Sequence, residues 1–140
     1  MRSDNMATFG KIFSTNKDVE KEGIWLTYGE GLEVRIARAG GSNKTFAARY
    51  DVLTKPYRRL IQMEVQDKEV MEGLMRRLYA ETVVKDWKGV TDENGNEVSF
   101  SVEACVEQFE KYPDLFADVV DNSTKIANYR DEVREADAKN

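Results

Sequence analysis

The chain of 140 residues contains no histidine, one cysteine and two prolines. Each shortage removes a class of function. Histidine titrates near neutral pH and is the commonest general base and metal ligand. Without it there are no Ser–His or Cys–His nucleophile pairs and no histidine-based zinc sites. Enzymes that work with carboxylates alone remain open. The lone Cys105 excludes an intrachain disulfide and points to a reducing cytoplasm. No apolar run approaches the roughly 20 residues that span a bilayer. Met1 to Thr15 lacks both the apolar stretch and the cleavage pattern of a secretory signal. Met6 is a second candidate start, which would leave Met1 to Asn5 as upstream sequence. A basic surplus is also missing: the net charge is −5 and the pI about 4.9. That argues against nucleic acid as a partner, because phosphate contacts need a basic surface, and against an anionic membrane. The only dense basic spots are Arg58-Arg59 and Arg76-Arg77.

What is present reads as one ordinary globular domain. Hydrophobic residues make up 41% and charged residues 34%, too apolar for a disordered chain. The expected fold class is α+β: an N-terminal β-hairpin packed on a mostly helical body, with a small second hairpin or structured loop near 87–100. Residues 1–22 are polar and read as a flexible arm, with Lys17 to Glu22 as a solvated charge run. Residues 23–130 form the domain, and 131–140 a frayed polar tail.

Within the domain, Ile24, Leu26 and Tyr28 alternate with Trp25 and Thr27. Gly29-Glu30-Gly31 follows, and then Leu32, Val34 and Ile36 alternate with Glu33, Arg35 and Ala37. Period-2 alternation around a glycine turn predicts the hairpin. Ser42 or Asn43 is placed to cap a helix from Lys44, whose stripe is Phe46, Tyr50, Leu53, Tyr57, Leu60 and Ile61. Pro56 predicts a break there, because it removes a helical hydrogen bond and disfavours the α conformation at Lys55. Asp67 caps the next helix, which carries Val70, Leu74 and Leu78 beside Met71, Met75 and Tyr79. A Glu72–Arg76 ion pair at i,i+4 would support it weakly. Val83 to Val90 is short and apolar around Trp87, and Asn94-Gly95 marks a tight turn. Ser101 caps a helix with Val102, Cys105, Val106 and Phe109 on one stripe. Pro113 starts another with Leu115, Phe116, Val119 and Val120, which Ile126 and Tyr129 extend.

The candidates for chemistry fail on spacing. Asp92 to Glu97, with Glu103 in the twelfth position, has the outline of a calcium loop. Its glycine, Gly95, is fourth where an EF-hand needs it sixth. Gly40 to Thr45 has the outline of a phosphate loop but carries Asn43 and Arg38 where the Walker pattern needs glycines. Cys105 sits on an apolar stripe with no cation within a turn to lower its pKa, so it reads as a small core hydrophobe. The expectation is a protein that binds and does not catalyse, with no cofactor. Five residues are candidates for protein contacts. Trp25 lies on the strand face opposite Leu26, as an anchor or as packing beneath the N-terminal arm. Arg58, Arg59, Arg76 and Arg77 are acceptors for an acidic partner or simply solvated helix faces.

The second half of the chain resembles one family. Asp86-Trp87-Lys88-Gly89-Val90-Thr91-Asp92-Glu93-Asn94-Gly95 is followed by Val98-Ser99-Phe100-Ser101 and a helix. Tyr112-Pro113-Asp114-Leu115-Phe116 then opens another, ending near Asn128-Tyr129-Arg130. This order, over Val83 to Arg130, is similar to the tail assembly chaperones of long-tailed bacteriophages. The N-terminal hairpin matches only loosely. The resemblance implies a cytoplasmic protein of the infected host that coats the aggregation-prone tape measure protein. It would act with tail tube subunits, self-associate in doing so, and be absent from the finished virion. It also implies a second, frameshifted form. Codons of the type GCA-AAA-AAC for Ala138-Lys139-Asn140 would supply the slippery site. The alternatives are a structural virion component, such as a head–tail connector or tail-completion protein, and a carboxylate-dependent metal enzyme.

Overall fold

The computed structural model describes residues 8–65 and 67–130. The expected hairpin is present as β1 (Ile24–Gly29) and β2 (Leu32–Ile36), antiparallel with Ile24 opposite Ile36 and Leu26 opposite Val34. These four side chains are buried on one face, while Trp25, Glu33 and Arg35 lie on the other. The two-residue turn Glu30-Gly31 has φ of 54° and 80°, the twist that matches a right-handed hairpin.

A third strand, β3 (Val84–Lys88), pairs antiparallel with β2 and completes a sheet of order β1-β2-β3. Sequence reading assigns Val83 to Val90 to a short apolar stretch leading into the second hairpin, and the difference has a physical reason. Val84 and Trp87 are three apart and would point to opposite faces of a regular strand. An irregularity in the β2–β3 register beside Ile36 brings both to the buried face. The period-2 signal is thereby erased. The second hairpin follows β3 where it was expected: Thr91 bridges Glu97, and the Val98 amide donates to the Val90 carbonyl at 2.9 Å. Trp87 ties it to the sheet, its indole N–H donating to the Val98 carbonyl at 2.8 Å and its ring meeting Phe100 edge-on at 5.2 Å. Gly89 makes this possible. Its φ is +74°, and a Cβ there would sit 2.2 Å from the Gly31 carbonyl oxygen, so only glycine lets the two turns approach.

Helices make up most of the rest of the described chain, and only some of them pack on the buried face of the sheet. They are α1 (Phe9–Phe13), α2 (Lys17–Glu22), α3 (Lys44–Thr54), α4 (Arg58–Gln62), α5 (Lys68–Thr82), α6 (Val102–Lys111) and α7 (Pro113–Ser123). A 3-10 turn joins α3 to α4 (Lys55–Tyr57), and another ends the described chain (Ile126–Tyr129). The structure is α+β, as expected. Asp67 and Ser101 cap α5 and α6 with side-chain acceptors, and Pro113 opens α7. Four aromatic rings run through the core from helix to helix. Phe46 meets Tyr79 at 5.4 Å, Tyr79 meets Phe116 at 5.5 Å, and Phe116 meets Phe109 at 4.9 Å. Among them Leu78, Val83, Val119 and Tyr129 are wholly buried, each contributing on the order of 2 kcal/mol through area removed from water.

Several local expectations are corrected. Lys17 to Glu22 is not a solvated run: it is helix α2, with Val19 and Glu20 each only 2% exposed. A buried carboxylate needs partners, and Glu20 has them. It accepts from the Thr15 hydroxyl, from the Ser42 amide at 2.7 Å and from Arg38 Nη1 at 3.2 Å. Burial would raise its pKa, but these hydrogen bonds and the guanidinium charge outweigh that and hold it below the usual value. Asn43 sits at the N-cap position of α3 without capping it. Its amide instead donates to the Arg38 and Thr82 carbonyls, at 2.8 and 2.9 Å, locking the loop to the end of α5. Pro56 does interrupt the helix, yet Lys55 keeps helical dihedrals (φ −51°, ψ −46°). The chain passes the proline by tightening into a 3-10 turn. The ion pairs of α5 are made by Arg77 and Glu81, not by Glu72 with Arg76. Met1 to Ala7, within the expected N-terminal arm, and the polar tail from Asp131 to Asn140 lie outside the described residues.

Candidate functional site

The corner formed by α4 and the start of α5 departs from ordinary surface composition. None of the residues of α4 is buried. Leu60, Met63, Val65 and Val70 all stand exposed, Met63 and Val65 by 57% and 59%. Apolar side chains gathered on the surface mark interaction sites more often than isolated ones do. Arg58 and Arg59 lie on the same short helix, both exposed.

The backbone explains the arrangement. After Met63 the chain reverses through a Schellman stop, with the Glu64 amide donating to the Ile61 carbonyl and the Val65 amide to the Leu60 carbonyl, both at 3.0 Å. That stop requires a left-handed residue, almost always glycine. Here it is Glu64, at φ +57°, a conformation that costs an ordinary residue roughly 1–2 kcal/mol. The apolar pair that accompanies such a stop, Leu60 and Val65, is turned to solvent instead of the core. Asp67 then accepts from the Glu69 and Val70 amides at 2.8 and 3.2 Å and restarts the helix. Local strain joined to exposed apolar groups is a pattern of binding sites.

The five residues singled out from sequence fall on three elements. Arg58 and Arg59 belong to the α4 corner. Arg77 is engaged inside the molecule: its Nη2 lies 2.9 Å from both Glu103 oxygens and its Nη1 lies 3.4 Å from Glu81. Glu81 is shared with Arg49, which clamps α3 to α5 and, against the effect of burial, holds the Glu81 carboxyl below its ordinary range. Arg76, beside it, is half-buried. Trp25 lies half-buried on the far face of the sheet, with the Lys88 ammonium 4.1 Å from its ring centroid.

Sequence reading misses Met63, Val65 and Val70 as surface residues. It places Leu60 and Val70 on buried stripes and passes over 62–66 as a connector. The available signal is the alternation of Ile61, Met63 and Val65 with Gln62 and Glu64, a period of two that departs from the helical stripe before it.

The other candidates resolve into structure. Asp92 accepts from the Asn94 and Asn96 amides, both at 2.9 Å, which makes it the pin of the hairpin turn. Among the described residues no group of three or more Cys, Asp or Glu is placed to hold a metal, and no helix is long and apolar enough to cross a membrane. Cys105 is buried on α6, and burial pushes its thiol up to about 12. A family described as YdaY prophage protein matches residues 41–140, which include the α4 corner. No curated protein and no solved structure matches the chain.

Proposed function

The chain belongs to the YdaY prophage protein family, and we propose that within a phage it is a tail assembly chaperone. It binds the tape measure protein, with tail tube subunits, in the host cytoplasm and leaves before the virion is complete. The observation that carries this reading is the α4 corner: Leu60, Met63, Val65 and Val70 exposed beside Arg58 and Arg59, on a backbone strained at Glu64. A holdase for a long amphipathic helix needs an apolar contact surface on a soluble body and no reaction chemistry. The net charge of −5 keeps such a surface from self-aggregating. The two arginines give the apolar patch a basic edge, suited to helices whose polar stripe is acidic. The order of features in the second half, from Trp87 through Pro113 to Tyr129, supports the same reading.

The test is co-expression with neighbouring tail genes, followed by pull-down and mass spectrometry of purified virions. A tape measure protein kept soluble by this chain, and virions free of it, are the expected results. Abundant recovery from virions would assign it to the particle instead, as a connector or tail-completion component. Failure to retain any tail protein would remove the chaperone reading.

A further inference from the structure

A second surface, apart from the α4 corner, has a shape and a charge that match another part of the same chain. Between the sheet and the α6–α7 junction lies an apolar socket of about 220 Å³, lined by Leu32, Val34, Trp87, Val90, Tyr112 and Leu115. It exceeds the roughly 150 Å³ that accommodates a benzene ring and falls below the roughly 300 Å³ where small-molecule sites begin. One aromatic side chain fits it. Thr91, Gln108 and Tyr112 also line a wider cleft of about 480 Å³, so the two form one groove. The wider end is acidic: among the described residues that line it, Asp92, Glu93 and Glu107 stand against Lys111, whose ammonium is 3.8 Å from Glu93. The groove therefore calls for a segment with an aromatic anchor, a positive charge and no carboxylate.

α1 is such a segment. It reads Phe-Gly-Lys-Ile-Phe, and Phe9 is 84% exposed, with Ile12 and Phe13 also in solvent. None of its residues is buried, and Lys11 is its only charge. It is anchored at its end by Arg130, which donates to the Ile12 carbonyl at 2.6 Å. We propose that this groove receives α1 of a second copy of the chain, with Phe9 in the socket and Lys11 at the acidic end. Each copy then offers one arm and one groove. The contact closes as a two-fold dimer or repeats head to tail, as rotation between copies dictates. It makes no use of the α4 corner, so it stands or falls separately from the tape measure reading.

Sedimentation of the full chain over a range of concentrations tests it. The wild type should self-associate, and Phe9→Ala should weaken association by at least about tenfold. Lys11→Glu and Glu107→Lys should each weaken it, and the double variant carrying both should recover. That rescue separates a lost contact from a lost fold. A wild type that stays monomeric throughout would overturn the proposal, as would association indifferent to Phe9→Ala or to the charge reversals. Association abolished by Leu60→Ser and Met63→Ser but untouched by Phe9→Ala would place the self-contact at the α4 corner and overturn it equally. A monomer that binds a tail protein through Leu115 would give the groove a different occupant and would overturn it as well.

Discussion

Glu20 and Glu64 are both carboxylates in unexpected places, and they mark opposite ends of the molecule's logic. Around Glu20, three donors converge on a buried side chain. The neighbouring backbone is closed as well: the Arg38 amide donates to the Glu20 carbonyl at 2.9 Å, and the Asn16 amide to Tyr129 at 2.8 Å. Tyr129, fully buried, reaches across to the Ile36 carbonyl at 3.3 Å. Around Glu64 the relation is inverted. The carboxylate residue holds a conformation suited to glycine, and the side chains beside it are apolar and exposed. One region satisfies buried polar groups and gains rigidity. The other leaves apolar groups unsatisfied and accepts backbone strain. Stability is therefore concentrated in the first, and the second can change with little cost to the fold.

The largest expected effect is at Tyr129. Tyr129→Ala empties a fully buried site and removes the tie to Ile36, at a cost of about 3–5 kcal/mol. Urea unfolding measures it. A cost under about 1 kcal/mol would mean that the terminal 3-10 turn is not part of the core and would dissolve the contrast. Glu20→Gln follows, at about 2 kcal/mol near neutral pH, because charge-assisted hydrogen bonds become neutral ones. The sign of its pH dependence is fixed. The folded-state pKa of Glu20 lies below the ordinary 4.5, so its contribution is complete above pH 4.5 and is lost as pH falls through the folded value. The gap between wild type and Glu20→Gln should narrow on acidification below 4.5. A gap that widens there would contradict the hydrogen-bonded carboxylate.

How far sequence reading reaches differs between these regions for identifiable reasons. The hairpin, the Asp67 and Ser101 caps, the Pro113 start and the interruption at Pro56 are legible because each rests on a local rule. The burial of Glu20 is not: its partners Arg38 and Ser42 come from a loop about twenty residues away, and nothing in Lys17 to Glu22 announces them. β3 is hidden by the register irregularity that turns Val84 and Trp87 to one face. At the α4 corner the arginines stand out as a basic pair, whereas Leu60 and Val70 are expected on buried stripes and stand instead on a helix, and at a helix start, that lie outside the core. Periodicity predicts which residues share a face, not whether anything covers it.

Glu64→Gly sharpens the comparison from the strained side. Glycine adopts φ +57° without a Cβ penalty, so the substitution should stabilise the protein by about 0.5–1 kcal/mol, after glycine's greater freedom in the unfolded chain is set against the relief. Thermal unfolding reads it as a rise in Tm. Glu64→Ala should gain nothing, since it keeps the Cβ. Equal gains for both would show that the charge of Glu64, and not its backbone, was the unfavourable feature.

The smallest effect on stability belongs to the residues that carry the proposed function. Leu60→Ser and Met63→Ser remove apolar surface that is already in water, so each should change the unfolding free energy by no more than about 0.5 kcal/mol. Binding to the tape measure protein should fall at the same time by at least about tenfold, the loss expected when an interface anchor is truncated. The pairing of the two measurements is what decides. Exposed groups that stabilise nothing and bind something are a contact surface. A stability loss above about 2 kcal/mol would show instead that α4 is held against the body as part of the core, and the strain at Glu64 would then be a consequence of packing.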